Sequence, residues 1–172
     1  MIDNNPVLEA LANRRAIRKY TDGPISREDL TAILEAGRWA PSGLNNQPWR
    51  FLVIHKDDPR AAKVAQCTKY SKIAQAAKVL ICVFLERECI YNEMKDHQAV
   101  GACLQNMMLA AHSLDIGTVW LGEILNQEAQ VLEVLNLPLE KYELQAVVAA
   151  GHPAQKGGSS RKELSEIMLE TY

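Results

Sequence analysis

The sequence has no long apolar run. Its longest, Val79-Leu80-Ile81-Cys82-Val83-Phe84-Leu85, is far too short to cross a bilayer as a helix. The start, Met1-Ile2-Asp3-Asn4-Asn5-Pro6, has no basic region followed by an apolar one, so no signal peptide is read and a cytoplasmic protein is expected. Charge of one sign is also lacking. Nineteen basic residues face twenty-one acidic ones for a net charge of −2, which argues against a general attraction to nucleic acid or membrane. Cys67, Cys82, Cys89 and Cys103 show no C-x-x-C spacing, and His55, His97, His112 and His152 show no metal-ligand intervals, so no metal site is expected. Cys82 and Cys103 read instead as buried thiols. There is no G-x-x-x-x-G-K-[ST] loop, no G-x-G-x-x-G and no G-x-S-x-G elbow. Pairing Ser42 with His55 or His152 as nucleophile and base therefore has no motif behind it. No internal repeat occurs.

What is present is ordinary for a globular protein: 172 residues, 48% hydrophobic and 23% charged, enough for one domain over residues 1–172. Asn5 followed by Pro6 starts a first helix, with Val7, Leu8 and Leu11 as its apolar stripe. Ser26-Arg27-Glu28-Asp29 opens a second, which buries Leu30, Ile33 and Leu34 and ends near Gly37. Residues 50–55 form a strand, residues 60–77 a helical stretch, and Val79–Leu85 a strand that is apolar on both faces and therefore central. Asp96 caps a long helix with Val100, Cys103, Leu104, Met107, Met108, Ala111 and Leu114 at 3–4 spacing. Its Met pair reads as packing. Residues 118–121 make a short strand, Asn126 caps another helix stopped by Pro138, and Ala146–Ala150 is the last strand. Lys156–Ser160 is flexible by composition. The tail from Arg161 to Tyr172 places Leu164, Ile167, Met168 and Leu169 at helical spacing and must dock somewhere. Helices thus precede, separate and follow about four strands in irregular order, an α+β arrangement.

Two polar stretches stand out. In the first, Arg14-Arg15-Ala16-Ile17-Arg18-Lys19, an extended chain sends Arg14, Ala16 and Arg18 one way and Arg15, Ile17 and Lys19 the other. Ile17 can then anchor the segment while guanidinium groups reach a shared anion, as a phosphate, or else form a solvated patch at a helix C-terminus. The second, Ala40-Pro41-Ser42-Gly43-Leu44-Asn45-Asn46-Gln47-Pro48-Trp49, cannot continue a helix and is a polar loop between two core elements.

Together these stretches resemble the FMN-dependent nitroreductase family. So do the long helix followed by Gly117 and Trp120-Leu121-Gly122-Glu123, and Ala150-Gly151-His152-Pro153 with Arg161-Lys162 after it. The resemblance covers essentially the whole chain. It implies a nitroreductase-like fold with a mixed or mostly antiparallel sheet of four to five strands flanked by helices. It also implies a homodimer with FMN at the subunit interface and a C-terminal tail extending onto the partner. By the same resemblance Arg14 and Arg15 hold the FMN phosphate, with Arg161 completing the anion site and Ala16 in the same motif. Arg18 lies near the pyrimidine edge or ribityl chain, and either Lys69 or Lys72, taken here as Lys72, lies at the pyrimidine edge. Leu121 and Gly122 bring backbone to the flavin. Pro41, Ser42, Gly43, Asn45 and Gln47 come from the other subunit. The implied activity is hydride transfer from NADH or NADPH to an electron-poor acceptor such as a quinone or nitroaromatic. Alternatives are dehalogenation or flavin fragmentation on the same fold, or a non-catalytic FMN-binding sensor. The chain departs from the family pattern where Ala16 and Gly43 replace serines and where Ala77-Lys78 replaces Ala-Pro.

Overall fold

A computed structural model describes residues 5–170. The reading of Met1–Asn4 and the last two tail residues, Thr171 and Tyr172, lie outside these. Asn5 caps α1 (Pro6–Asn13) as its side-chain oxygen accepts the Val7 and Leu8 N–H groups. Val7, Leu8 and Leu11 are exposed, however, and α1 buries no side chain within the protomer. Ser26 starts α2 (Arg27–Arg38), its hydroxyl oxygen accepting the Asp29 N–H at 2.9 Å. β1 (Trp49–His55) follows the loop.

The helical stretch expected over 60–77 is two helices, α3 (Pro59–Gln66) and α4 (Ser71–Ala76). Between them the Thr68 hydroxyl takes the Tyr70 N–H at 3.2 Å, a local bond that competes with the helix ladder. After β2 (Val79–Glu86) comes α5 (Glu93–Ser113), whose cap is Asn92 rather than Asp96. The Asn92 side chain accepts the Lys95 N–H, which leaves Asp96 one turn inside and wholly buried. β3 (Gly117–Leu121) leads to a 3₁₀ turn, Glu123–Gln127, that passes straight into α6 (Glu128–Leu135). Asn126 therefore lies inside the turn and caps nothing. β4 (Tyr142–Gly151) completes the sheet. Among the described residues the tail is not a helix: only Leu164–Glu166 makes a 3₁₀ turn there, with Leu164, Ile167 and Leu169 exposed. Helical spacing alone does not stabilise so short a segment without a surface to pack on.

The strand order is β1-β2-β4-β3, and every neighbouring pair is antiparallel. The parallel element anticipated in a mixed sheet is a single bridge, Ala16 to Thr118, outside the strands. β2 is central, as its two apolar faces require. Ile81, Val83 and Leu85 pack with Ile33, Leu104 and Met107 beneath α2 and α5. Leu80, Cys82 and Phe84 pack with Val64, Ile124 and Leu132 beneath α3 and α6. Each such side chain, fully buried, contributes about 1.5–3 kcal/mol relative to exposure. What matters for the site is α5. Its 21 residues span about 30 Å, so its two ends hold different parts of the chain far apart.

Candidate functional site

At the C-terminal end of α5 lies the basic segment. Ile17 is buried, and its N–H donates to the Thr118 carbonyl at 2.9 Å, pinning the segment to the edge of β3. Tyr20 ties its far end, donating its phenol O–H to the Ile17 and Ala149 carbonyls. Arg15 folds back on α1, donating to the Ala12 and Arg14 carbonyls at 2.6 and 2.8 Å, which complements the helix dipole. Arg14 is partly buried, and its Nε has no partner among the described residues. Burial, then the charges of Arg161 and Arg15, pull the Arg14 guanidinium below its ordinary value. Arg161, held by hydrogen bonds to Ser159 and Ser160, thus stands near Arg14 although 147 residues separate them. A cavity of about 330 Å³ opens here, lined in part by Arg14, Arg15, His112, Asp115, Thr118 and Lys156. Gly157 crosses so close to Arg15 that a Cβ there would overlap the arginine stem. Like charges gathered around a buried unpartnered N–H are the arrangement an anion completes, each charge-assisted bond contributing about 1.5–3 kcal/mol. Arg18 is exposed.

At the N-terminal end of α5 lies the loop. Leu44, Asn45 and Gln47 take φ of 53°, 56° and 46°, in the left-handed region that costs a non-glycine residue about 1–3 kcal/mol. Asparagine tolerates this conformation; leucine does not, and Leu44 is also 84% exposed. Pro41 and Asn45 are exposed, while Ser42, Gly43 and Gln47 are partly covered. The Gln47 N–H donates to the Ser42 hydroxyl and the Gln47 side chain to the Asn45 carbonyl. Asn46 Nδ2 donates to the Cys89 carbonyl at 2.8 Å and to Asp96 at 2.9 Å. A Cβ on Gly43 would overlap the end of the Tyr91 ring, which would have to move aside.

Leu121 ends β3 buried, and Gly122 is exposed beyond it. Glu123 accepts the Thr68 hydroxyl at 2.7 Å and the Lys69 N–H at 3.0 Å, bonds that hold its carboxyl below the usual range. The Thr68–Tyr70 bend is thereby fixed to the Gly122 segment. Lys72 is exposed on the first turn of α4, while Lys69 is the lysine whose backbone is bound at this place.

The chain matches the family model described as the Nitroreductase family over residues 11–77 and 58–152. This chain belongs to that family. A provisionally named nitroreductase from Desulfovibrio desulfuricans, crystallised with FMN, is 58% identical and superposes with a TM-score of 0.97 over 98% of both chains. An NADH dehydrogenase/NAD(P)H nitroreductase, also provisionally named, from Archaeoglobus fulgidus is 34% identical over 85% of this chain and 84% of that protein. The FMN reductase [NAD(P)H] of Bacillus subtilis is 29% identical over 98% of this chain and 75% of its own.

Two departures from the nitroreductase pattern now have physical reasons. Gly43 is matched by Tyr91, which fills the space a serine would use. Lys78 donates its N–H to Ala150 and its ammonium to Asp22 at 2.6 Å, bonds a proline would lack. Asn46, Tyr91, Asp96 and Glu123 are site-side residues to which the sequence assigned no site role. Asn46 and Glu123 stand inside the two quoted motifs, Asp96 is read there only as a cap, and Tyr91 carries no signal.

Proposed function

We propose that the protein is a homodimeric, FMN-dependent oxidoreductase of a single domain, residues 1–172, that passes reducing equivalents from NADH or NADPH to an electron-poor acceptor. The observation that carries this reading is the buried Arg14 Nε without a partner, set among Arg15 and Arg161, in a nitroreductase-family chain. These residues fit the phosphate of FMN. When bound, FMN supplies hydride uptake and release at its N5. The chain's own residues bind and orient. Arg14 and Arg161 hold the phosphate, with Arg15 adding charge and Ala16 leaving a methyl where a hydroxyl would bond. Arg18 supplies positive charge by the ring system, as does Lys72 or its neighbour Lys69, and Leu121 and Gly122 offer backbone. No side chain is required as an obligatory proton donor, which predicts ping-pong kinetics with broad acceptance of flat quinones and nitroaromatics.

The separation along α5 supports the dimer. Within one protomer Pro41, Ser42, Gly43, Asn45 and Gln47 are a helix length away from Arg14, so they serve the partner's FMN rather than their own. Three exposed surfaces suit that assembly. One is the Val7-Leu8-Leu11 stripe, and another is the tail at Leu164, Ile167 and Leu169, which then lies on the partner. The third is the outward face of α5 around Met94 and Gly101, where a Cβ on Gly101 would meet nothing within 4 Å. The free cysteines suit the reducing cytoplasm, where NADH and NADPH are available.

The test is anaerobic. Purified yellow protein should bleach with NADH or NADPH, and a quinone or nitro compound should restore its colour faster than oxygen does. Colourless protein that takes up no FMN would overturn the proposal.

A further inference from the structure

We propose that Asp96 is a positioning residue of this site: a buried carboxylate that latches the Ser42–Gln47 loop of one protomer in the shape presented to the partner's flavin. The inference rests on the reading that the loop serves that flavin.

Asp96 is 0% exposed; Asn92 caps α5 and Asp96 reaches back to its N–H, which accounts for one carboxylate oxygen and leaves the other to be explained. One carboxylate oxygen accepts the Tyr91 and Asn92 N–H groups at 3.0 Å each; the other accepts Asn46 Nδ2 at 2.9 Å. Among the described residues no lysine or arginine pairs with it. Its three partners are N–H donors that end in one loop and one turn.

Both neighbours of Asn46 Nδ2, the Cys89 carbonyl and Asp96, are acceptors, which fixes the orientation of the amide. Asn46 itself has ordinary helical backbone, φ −72°, between the left-handed Asn45 and Gln47. It is therefore the point about which the strained residues turn. The remaining loop bonds, from the Gln47 N–H to Ser42, the Gln47 side chain to Asn45, the Asn45 N–H to Ser42 and the Asn46 N–H to Gly43, stay inside the loop. Apart from Arg50 donating to the Gln47 carbonyl at the far end, Asn46 alone hydrogen-bonds the loop to the rest of the protomer among the described residues. Tyr91, whose N–H is bound to the same carboxylate, covers Gly43. One group thus sets both the middle of the loop and the aromatic ring over its start. A structural carboxylate would be satisfied by the turn at residues 91–92. The bond to Asn46 is the added feature, and it reaches a segment that contributes little to the core.

Asp96→Asn, Asn46→Asp and the exchanged pair carrying both test this. In Asp96→Asn two amide donors face each other unless Asn46 turns over and loses Cys89. In Asn46→Asp two carboxylates face each other. In the exchanged pair the Asp96→Asn amide donates to the Asn46→Asp carboxylate and still accepts both backbone N–H groups, while the Cys89 carbonyl loses its donor. FMN titration, hydrogen exchange of the loop amides, and visible circular dichroism of the bound flavin are measured on each folded dimer. Each single variant should weaken FMN by on the order of tenfold or more, as for loss of a hydrogen bond to a charged group. Exchange over residues 42–47 should quicken while that of the central strands holds. The exchanged pair should bind FMN more tightly than either single variant and move the dichroism back toward wild type, short of it by the lost Cys89 bond. If wild type binds FMN and the single variants bind it equally well, or if the exchanged pair simply adds the two losses, the latch is wrong and the flavin site stands. If wild type takes up no FMN, the site reading fails and the latch with it.

Discussion

The two ends of α5 are built differently, and each leaves one polar atom unsatisfied. At the basic end it is a donor, Arg14 Nε; at the loop end it is an acceptor, Asn46 Oδ1, and both are buried without a partner among the described residues. A buried unpaired group costs about 1–3 kcal/mol, so such atoms mark places that the protomer does not complete by itself. The basic end tolerates repulsion among guanidinium groups on a backbone held by ordinary hydrogen bonds. At the loop end the loop itself has no charged residue and stores strain, with three left-handed residues held mainly through Asn46. One end is prepared by charge and the other by shape, as expected if they meet a ligand's phosphate and its flat ring respectively.

That contrast can be broken from either side. The largest effect is expected for Arg14→Ala, which should weaken FMN by about 10- to 100-fold, the equivalent of a lost charge-assisted bond, with a further loss as salt screens Arg15 and Arg161. Fluorescence titration at two salt concentrations measures it. On the loop side, Gly43→Ser pushes a side chain into the end of the half-exposed Tyr91 ring and should cost up to about 1 kcal/mol of stability, the low end of the range for overpacking. Thermal melting of Gly43→Ser beside Gly43→Ser/Tyr91→Ala checks this, since removing the ring should recover most of the loss. Ala16→Ser restores a hydroxyl to the basic segment and should tighten FMN by a factor of about 2–10, one neutral hydrogen bond's contribution.

Much of the fold is legible because its causes are local. Asn5-Pro6, Ser26 and the doubly apolar run of β2 each carry their instruction within a few residues. Asp96 was misread because Asn92, four residues earlier, is an equally good cap, and sequence cannot show that the carboxylate is claimed by Asn46. The bend between α3 and α4 has a local bond, Thr68 to Tyr70, but is also tied to Glu123, 55 residues from Thr68. The tail's helical spacing describes an apolar face, but of its four residues Leu164, Ile167 and Leu169 stay exposed and only Met168 is partly covered. Within the candidate site, Arg14 and Ile17 follow from alternation along an extended strand. That Arg161 stands beside Arg14 came only through the family resemblance, since nothing local joins them. Left-handed Leu44 has no local signal at all.

The smallest expected effect lies near the loop end, where His97 Nε2 meets Glu143 at 2.7 Å. Burial lowers the His97 pKa, but hydrogen bonds to the Glu93 carbonyl and Glu143 outweigh it and leave it above 6.5; Glu143 is correspondingly held below 4.5 despite burial. The histidine's contribution to stability is therefore full below 6.5 and lost as pH rises through its folded value. The carboxylate's is present above 4.5 and lost as pH falls through its folded value. Because the pair is partly solvated, the difference should stay under about 1 kcal/mol. Denaturant unfolding at pH 5.5 and 8.5 on wild type and His97→Gln measures it, and the variant should lose the excess at the lower pH.

The central claim, that each flavin site takes its charge from one protomer and its loop from the other, is tested most directly by mixing two defective chains. Arg14→Ala and Asn46→Asp homodimers should each bind FMN poorly. In a heterodimer one site carries both defects and the other carries neither. Random reassociation of equal amounts should therefore restore tight FMN to about one site in four, by the two-fold symmetry of such a dimer. No recovery in a sample shown to contain heterodimers, or a stable monomer with full FMN occupancy, would contradict the account.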